Sequence, residues 1–324
     1  MTLAKVGCII IGGNKVLYQE VRAIKVYEYG AGKIPKGKRV IALGFFDGVH
    51  RGHRAIIEGA VKEAKELSLP SAVFTFKGDS FALKGGHIYS TEEKLQILDS
   101  IGIDEVILAD FSEMREVSAE DFVNDTLLCD LECALALSGE DFRFGKGALG
   151  NTELLSELLS EGGASLVCPG EVIDNGKKIS STRVRELLKE GKIKEANRLL
   201  GSPYTITARV KRGLGLGKSF GFPTANADID ERGVDILSGV YKCSARIDGK
   251  DYSAIANIGV CPTVSDRKKH IEAYIVGYSG DLYGSDIRLE ILDFIRPEIK
   301  FNSKDELIMQ IKLDINKTFD KEEI

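Results

Sequence analysis

A chain of 324 residues with 43% hydrophobic and 29% charged side chains has the composition of a folded globular protein, which argues against collagen, coiled coil or extended disorder. At roughly 150 residues per domain the length predicts two domains. The 44 basic and 49 acidic residues leave a net charge of −5 with no long basic block, so neither a broad nucleic-acid surface nor a membrane surface is expected. Any anionic ligand needs a small local site.

The longest apolar run near the start, Val6 to Ile11, is broken by Gly7 and is too short for a signal h-region or a membrane span. Six cysteines (Cys8, Cys129, Cys133, Cys168, Cys243, Cys261) are scattered without a CxxC pair and read as reduced thiols of a cytoplasmic protein. From Arg39 onward the pattern is strand, turn, helix, strand. Val40 to Phe46 is a nearly unbroken apolar run, as expected of a parallel strand buried on both faces. Ile56, Ile57, Ala60, Val61, Ala64 and Leu67 then share a helix face, stopped by Pro70, and the strand Ala72 to Phe76 completes a βαβ unit. Further units follow at Thr91 to Ile101 (helix), Glu105 to Leu108 (strand), Ala119 to Leu128 (helix) and Ala134 to Leu137 (strand). The first half is doubly wound α/β.

After a helix expected over about Val184 to Leu200 the period changes from 3.6 to 2. Ile206, Ala208 and Val210 alternate with polar neighbours, and so do Tyr241, Cys243, Ala245 and Ile247. The turn Asp248-Gly249 leads into Tyr252, Ala254, Ala256 and Ile258, a strong hairpin signal. Ile271 to Val276 and Ile287 to Ile291 repeat the alternation across Ser279-Gly280-Asp281. The second half is therefore mostly antiparallel β, a small barrel closed by a helix with a capping box, Ser303 with Glu306, and an apolar face of Leu307, Ile308, Ile311 and Ile315. The boundary falls near residue 200, giving domains 1–200 and 201–324.

The turn after the first strand, Gly44-Phe45-Phe46-Asp47-Gly48-Val49-His50-Arg51-Gly52-His53, runs straight into a helix. A helix N-terminus at a strand's carboxyl end suits a phosphate. His50 and His53 could both donate hydrogen bonds to it, with Gly48 and Gly52 allowing close backbone approach; the alternative is an ordinary βα turn. A zinc site has little support, since His87 and His270 stand alone. In Ile179-Ser180-Ser181-Thr182-Arg183-Val184-Arg185-Glu186, Ser181 or Thr182 is the expected N-cap of another helix. Arg183 then lies in the first turn, where the dipole disfavours a cation unless an anion compensates it. A solvated Arg183 paired with Glu186 or Glu190 is the plain alternative. Between them, Asp141 and Arg143 stand in the glycine-rich stretch Gly139 to Gly147.

Gly213, Gly215, Gly217 and Gly221, with Lys218 among them, precede Phe222-Pro223-Thr224-Ala225-Asn226. The spacing fits neither the dinucleotide fingerprint nor Walker A. It reads either as a flexible hairpin loop or as a flap over phosphates, with Thr224 and Asn226 as neutral Mg²⁺ ligands. Glu272, on the face opposite Ile271 and Ala273, is a candidate to accept a hydroxyl proton, and equally fits a solvent-facing glutamate.

From about Arg39 to Asp314 the chain resembles the bifunctional riboflavin kinase/FMN adenylyltransferase (FAD synthetase) family. The motifs that carry the likeness are GFFDGVHRGH, EDFRFGKG, ISSTRVR, GLGLGKSFGFPTAN, ANIGVCPT, the Glu272 strand with DLYG, and the stretch from Arg296 to Phe301. The resemblance implies a Rossmann-like nucleotidyltransferase domain followed by a riboflavin kinase barrel. It implies two ATP-dependent steps, riboflavin to FMN in the second half and FMN to FAD in the first, with riboflavin, FMN and ATP as partners and Mg²⁺ as cofactor. His50 and His53 would bind the triphosphate, in a turn that also includes Gly44, Phe46 and Asp47. Arg183, Ser181 and Thr182 would hold the departing phosphates, and the loop with Asp141 and Arg143 would help close the site. The flap with Lys218 and Pro223, the ligands Thr224 and Asn226, the base Glu272, and Arg296 would serve the kinase. The sequence departs from the family where Thr75-Phe76 is followed by Lys77-Gly78-Asp79-Ser80 in place of a Pro-His-Pro stretch. A kinase with a weak or inactive first half is therefore the alternative, and a non-catalytic flavin-binding regulator a more distant one. The first thirty or so residues read as an extension the family does not require.

Overall fold

A computed structural model describes residues 6–11, 15–20, 24–78, 83–211, 224–260 and 269–319. Strands β1 (Val6–Ile11) and β2 (Lys15–Glu20) form an antiparallel ribbon. A wholly parallel sheet then contains β3 (Lys25–Glu28), β4 (Arg39–Leu43), β5 (Ser71–Phe76), β6 (Glu105–Ala109), β7 (Cys133–Leu137) and β8 (Ser165–Val167), in the order β3-β6-β5-β4-β7-β8. The helices of this region are α1 (Arg51–Leu67), α2 (Thr91–Ile101), α3 (Phe111–Met114), α4 (Ala119–Asp121) and α5 (Thr152–Glu161). Alternation along the strands builds two cores. Val40 and Ala42 meet Ile56, Ile57, Ala60 and Ala64 of α1 and Leu98 of α2. Ile41 and Leu43 meet Phe122, Val123 and Leu127 together with Leu155 and Leu159 of α5. With both faces covered, a central strand must be apolar throughout, which is why β4 reads as one run.

The doubly wound prediction holds, with local corrections. The helix expected over Ala119 to Leu128 winds as a π-helix from Phe122 to Asp130 after the short α4, and the Leu131 N–H that follows it bonds the Thr126 carbonyl at 3.0 Å, an i to i+5 closure. β3 joins the sheet as an edge strand, and its half-exposed residues carry no apolar run for sequence reading to catch. A small hairpin, β9 (Ile173–Asp174) with β10 (Lys177–Lys178), turns at Asn175-Gly176.

The helix expected over Val184 to Leu200 is two helices, α6 (Ser181–Lys189) and α7 (Ile193–Leu200). Gly191 separates them with φ +70°, and a β-carbon there would lie 2.7 Å from Leu237. The barrel is closed, from β11 (Tyr204–Lys211), β12 (Thr224–Asp228), β13 (Gly239–Ile247), β14 (Lys250–Val260), β15 (Lys269–Ile275) and β16 (Asp286–Arg296), in the order β11-β12-β15-β14-β13-β16. As predicted, Asp248 (φ +48°) and Gly249 (φ +78°) turn a two-residue hairpin with Ile247 opposite Lys250. The Ser279-Gly280-Asp281 segment joins strands that do not pair, because β15 lies between β12 and β14. The last helix, α8 (Lys304–Thr318), is capped by Ser303, whose Oγ accepts the Glu306 N–H at 3.2 Å.

The chain divides into two compact units, Met1–Ala82 with Ser90–Ile179, and Leu83–Tyr89 with Ser180–Ile324. In the second unit Leu83–Tyr89 lies along the connection between β12 and β13. The His87 N–H donates to the Arg232 carbonyl (2.9 Å), and the Val234 N–H donates to the His87 carbonyl (2.8 Å).

Arg39 is buried in the first unit, its Nε 3.1 Å from Glu105 and its other N–H groups on the Leu131 and Pro35 carbonyls. Glu105→Ala strands a buried guanidinium without its counter-charge. Urea unfolding should report a loss of about 3–5 kcal/mol.

Candidate active sites

The turn between β4 and α1 is bent by backbone that few residues adopt: Phe46 (φ +52°), Gly48 (φ +82°) and Val49 (φ +39°) are all left-handed. A β-carbon on Gly44 would lie 2.8 Å from the Phe46 ring, so the glycine lets that ring fold back over the strand end. Phe46, Asp47 and His50 are buried. His50 caps α1, its Nδ1 accepting the His53 N–H at 3.3 Å, which leaves the proton of its neutral ring on Nε2. His53 stacks on it with ring centroids 3.6 Å apart and planes 17° from parallel. The expected pair of donors is thus brought together. Burial, reinforced by His50 and Lys94, holds His53 well below the usual histidine range, and its buried Nδ1 has no hydrogen-bond partner among the described residues.

Sequence reading missed the cation beneath this turn. Lys94 of α2 is buried, its Nζ donating to the Phe45 carbonyl (3.2 Å), Thr75 Oγ1 (3.2 Å) and the Phe76 carbonyl (3.0 Å), and lying 4.8 Å from the Phe45 ring centre. Burial pushes its pKa down to about 8 against the opposing pull of Asp47. A lysine in an amphipathic helix usually reads as solvated. The one signal was a cation in the first turn of a helix, where the dipole disfavours it.

Asp141 and Arg143, in the loop after β7, are both exposed. Asp141 lies 2.8 Å from Lys178, whose hydrogen bond holds its carboxyl below the usual range. The loops after β4 and β7 flank the point where strand order reverses, the place at which open parallel sheets take ligands. Of the stretch that departs from the family, Gly78 donates its N–H to Thr91 Oγ1 (2.9 Å) and Lys77 pairs with Glu28 (2.9 Å). Asp79 and Ser80 lie outside the described residues.

In the second unit the N-cap of α6 is Ser180 and not Ser181 or Thr182: its Oγ accepts the Arg183 N–H at 3.3 Å. Ser180 is the last residue in extended conformation (φ −146°, ψ +155°), so Ser181, Thr182 and Arg183 become the first three helical positions.

On the barrel, register assembles the kinase candidates. Asn226 of β12 lies opposite Glu272 of β15, which lies opposite Asn257 of β14, so three polar side chains form one row across the sheet. Ile271 and Ala273 are buried on the other face, as alternation predicted, and Glu272 is exposed with no hydrogen-bond or ion-pair partner among the described residues. Asn226 Nδ2 donates to the Thr224 carbonyl (3.2 Å) and to Thr224 Oγ1 (3.3 Å). Asn257 was overlooked as a single residue although its motif was not; its Nδ2 reaches Glu298 at 3.2 Å. Arg296 directs its fork at Asp314 of α8 (Nε 3.0 Å and Nη2 2.8 Å from Oδ2). Gly213, Gly215, Gly217, Lys218, Gly221 and Pro223 lie outside the described residues.

Two family models match in the same order as the two halves: FAD synthetase over residues 33–183 and riboflavin kinase over residues 200–321. The bifunctional riboflavin kinase/FMN adenylyltransferase of Escherichia coli strain K12 is 35% identical over 287 residues, covering 86% of this chain and 91% of that protein. The chain belongs to this family. The Bacillus subtilis strain 168 member is 33% identical over 292 residues, covering 87% of this chain and 92% of its own. A solved crystal structure, that of a macrolide-efflux protein from Streptococcus pneumoniae, superposes with a TM-score of 0.81 at 30% identity, covering 91% of this chain and 99% of that one. Among the described residues no helix of this family member is long and apolar enough to cross a membrane.

Because the folded His53 resists protonation, only the unfolded chain gains that proton as the pH falls below about 6.5, so stability declines on acidification. Between pH 7.5 and 5.5 the urea midpoint should drop by the equivalent of about 1 kcal/mol from this group. His53→Gln should shrink that difference.

Proposed function

We propose that this chain makes FMN and then FAD, with the kinase in residues 201–324 and the adenylyltransferase in residues 1–200, as a cytoplasmic enzyme. The observation that carries the kinase assignment is the in-register row Asn226–Glu272–Asn257, which sets an exposed carboxylate beside two half-buried amides on one face of the sheet. In this reading Glu272 accepts the proton of the ribityl 5′-hydroxyl as that oxygen attacks the γ-phosphorus of ATP. Thr224 Oγ1 and Asn226 Oδ1 are hard, uncharged oxygens, a donor set that fits Mg²⁺ shared with phosphate; with its Nδ2 directed at Thr224, Asn226 keeps Oδ1 for the cation. Bound there, Mg²⁺ supplies neutralisation of phosphate charge. Gly213, Gly215, Gly217, Lys218, Gly221 and Pro223 are assigned to phosphate binding on their motif alone. Arg296 contributes only through the N–H groups that its pairing with Asp314 leaves.

The adenylyl step joins a phosphate oxygen of FMN to the α-phosphorus of ATP and releases pyrophosphate. The FMN phosphate is ionised near neutral pH, so orientation and charge stabilisation suffice and no base is needed. The stacked His50 and His53 fit this task as neutral donors. The turn at Gly44, Phe46, Asp47, Gly48 and Gly52 brings backbone close to the phosphates. Asp141 and Arg143 help to close the site.

Purified protein incubated with riboflavin, Mg²⁺ and ATP should yield FMN and then FAD by chromatography. FMN alone would leave a kinase with an inactive first half, and neither product would indicate a flavin-binding regulator. Glu272→Gln should cut FMN formation by about 10²–10⁴-fold and spare the conversion of FMN to FAD. His53→Ala should cut the second step by roughly 10²-fold and spare the first. Loss of both steps in either folded variant would refute independent sites.

A further inference from the structure

An ammonium has three N–H groups, and those of Lys94 have three acceptors within reach: the Phe45 carbonyl, Thr75 Oγ1 and the Phe76 carbonyl, at 3.0–3.2 Å. None is left over for a ligand. Thr75 Oγ1 itself donates to the Phe45 carbonyl at 2.8 Å, so two side chains converge on one peptide oxygen. That oxygen belongs to the peptide joining Phe45 to Phe46. Because the peptide is trans, a carbonyl drawn toward Lys94 turns the Phe46 N–H the opposite way. Phe46 then enters the left-handed region, and the turn continues through Gly48 and Val49 to the His50 cap. A strained, non-glycine turn residue persists only where its surroundings hold it, and a desolvated charge is an expensive holder unless its acceptors are well placed.

We propose that Lys94 is a positioning residue for adenylyl transfer, its ammonium clamping the carboxyl ends of β4 and β5 so that the turn holds Phe46, His50 and His53 in their reactive arrangement. The inference rests on the adenylyltransferase reading of the first unit. Lys94 touches no substrate; it acts through the Phe45 peptide. The same proximity places its charge among the causes that keep His53 neutral. Asp47 in the turn and His53 on α1 are the titratable groups coupled to it, and His53 is already unprotonated at pH 8.

The test uses the full chain, with riboflavin phosphorylation as the internal control for folding. Wild-type protein that makes no FAD would sink the adenylyltransferase reading itself. If it does make FAD, Lys94→Met should lower kcat for FMN to FAD at least 30-fold while the KM values for FMN and ATP stay within about threefold and riboflavin phosphorylation stays within twofold. In Lys94→Ala, ethylamine should restore part of the lost turnover, whereas tetraethylammonium, which has no N–H, should not. Unchanged FAD formation in folded Lys94→Met, or recovery with both additives alike, would overturn the proposal. A measurement on the unmodified protein guards against a variant that fails to fold. As pH rises through about 8 and Lys94 loses its proton, FAD formation should fall along a limb that FMN formation does not share. An FAD profile flat from pH 7 to 9 would overturn it as well.

Discussion

Hydrogen-bond register settles which side chains in a sheet are neighbours before any of them chooses a rotamer, and both candidate sites depend on it. In the barrel, pairing of β12 with β15 and of β15 with β14 sets Asn226, Glu272 and Asn257 side by side. A slip of one residue would send Glu272 into the interior among Ile271 and Ala273 and bring those apolar groups to the surface. The small buried residues Ala225, Ala227, Ala254, Ala256 and Ala273 make that slip costly in another way, since a narrow closed barrel has no room for larger groups on its inner face.

The parallel sheet uses register differently. All its strands run one way, so their carboxyl ends lie together, and the chain must leave each of them through a turn at the same edge. Apolar burial on both faces makes the strands rigid but supplies no polar group to hold those turns. The polar contacts come from the second residue layer: Lys94 and Thr75 under the Phe45 carbonyl, and the His50 ring capping α1. Stability in this unit is therefore supplied by Val40, Ile41, Ala42 and their partners, whereas the shape of the turn between β4 and α1 is decided by a handful of buried polar contacts.

Electrostatics separates the two sites. Beside the turn after β4, burial disfavours the charged forms of two groups, Lys94 pushed down to about 8 and His53 held well below its usual range. On the barrel the candidate Glu272 is exposed. The free thiols Cys133 and Cys243 are buried, and burial raises the pKa of both.

The amino-acid order alone determined the class of each half, the hairpin at Asp248-Gly249, the cap at Ser303 and the candidates His50, His53, Thr224, Asn226 and Glu272, because periodicity and turn chemistry are local and survive in one dimension. It could not place the break at Gly191, since the apolar spacing continues across it and the left-handed φ and the approach of Leu237 that require the glycine appear only in the fold. Nor could it tell that β15 lies between β12 and β14, or that Lys94 is buried, because the first depends on strand pairing across the barrel and the second on partners 18 to 49 residues away in sequence. A lysine's chemistry is set by what surrounds its ammonium, and that is decided only when the chain has folded.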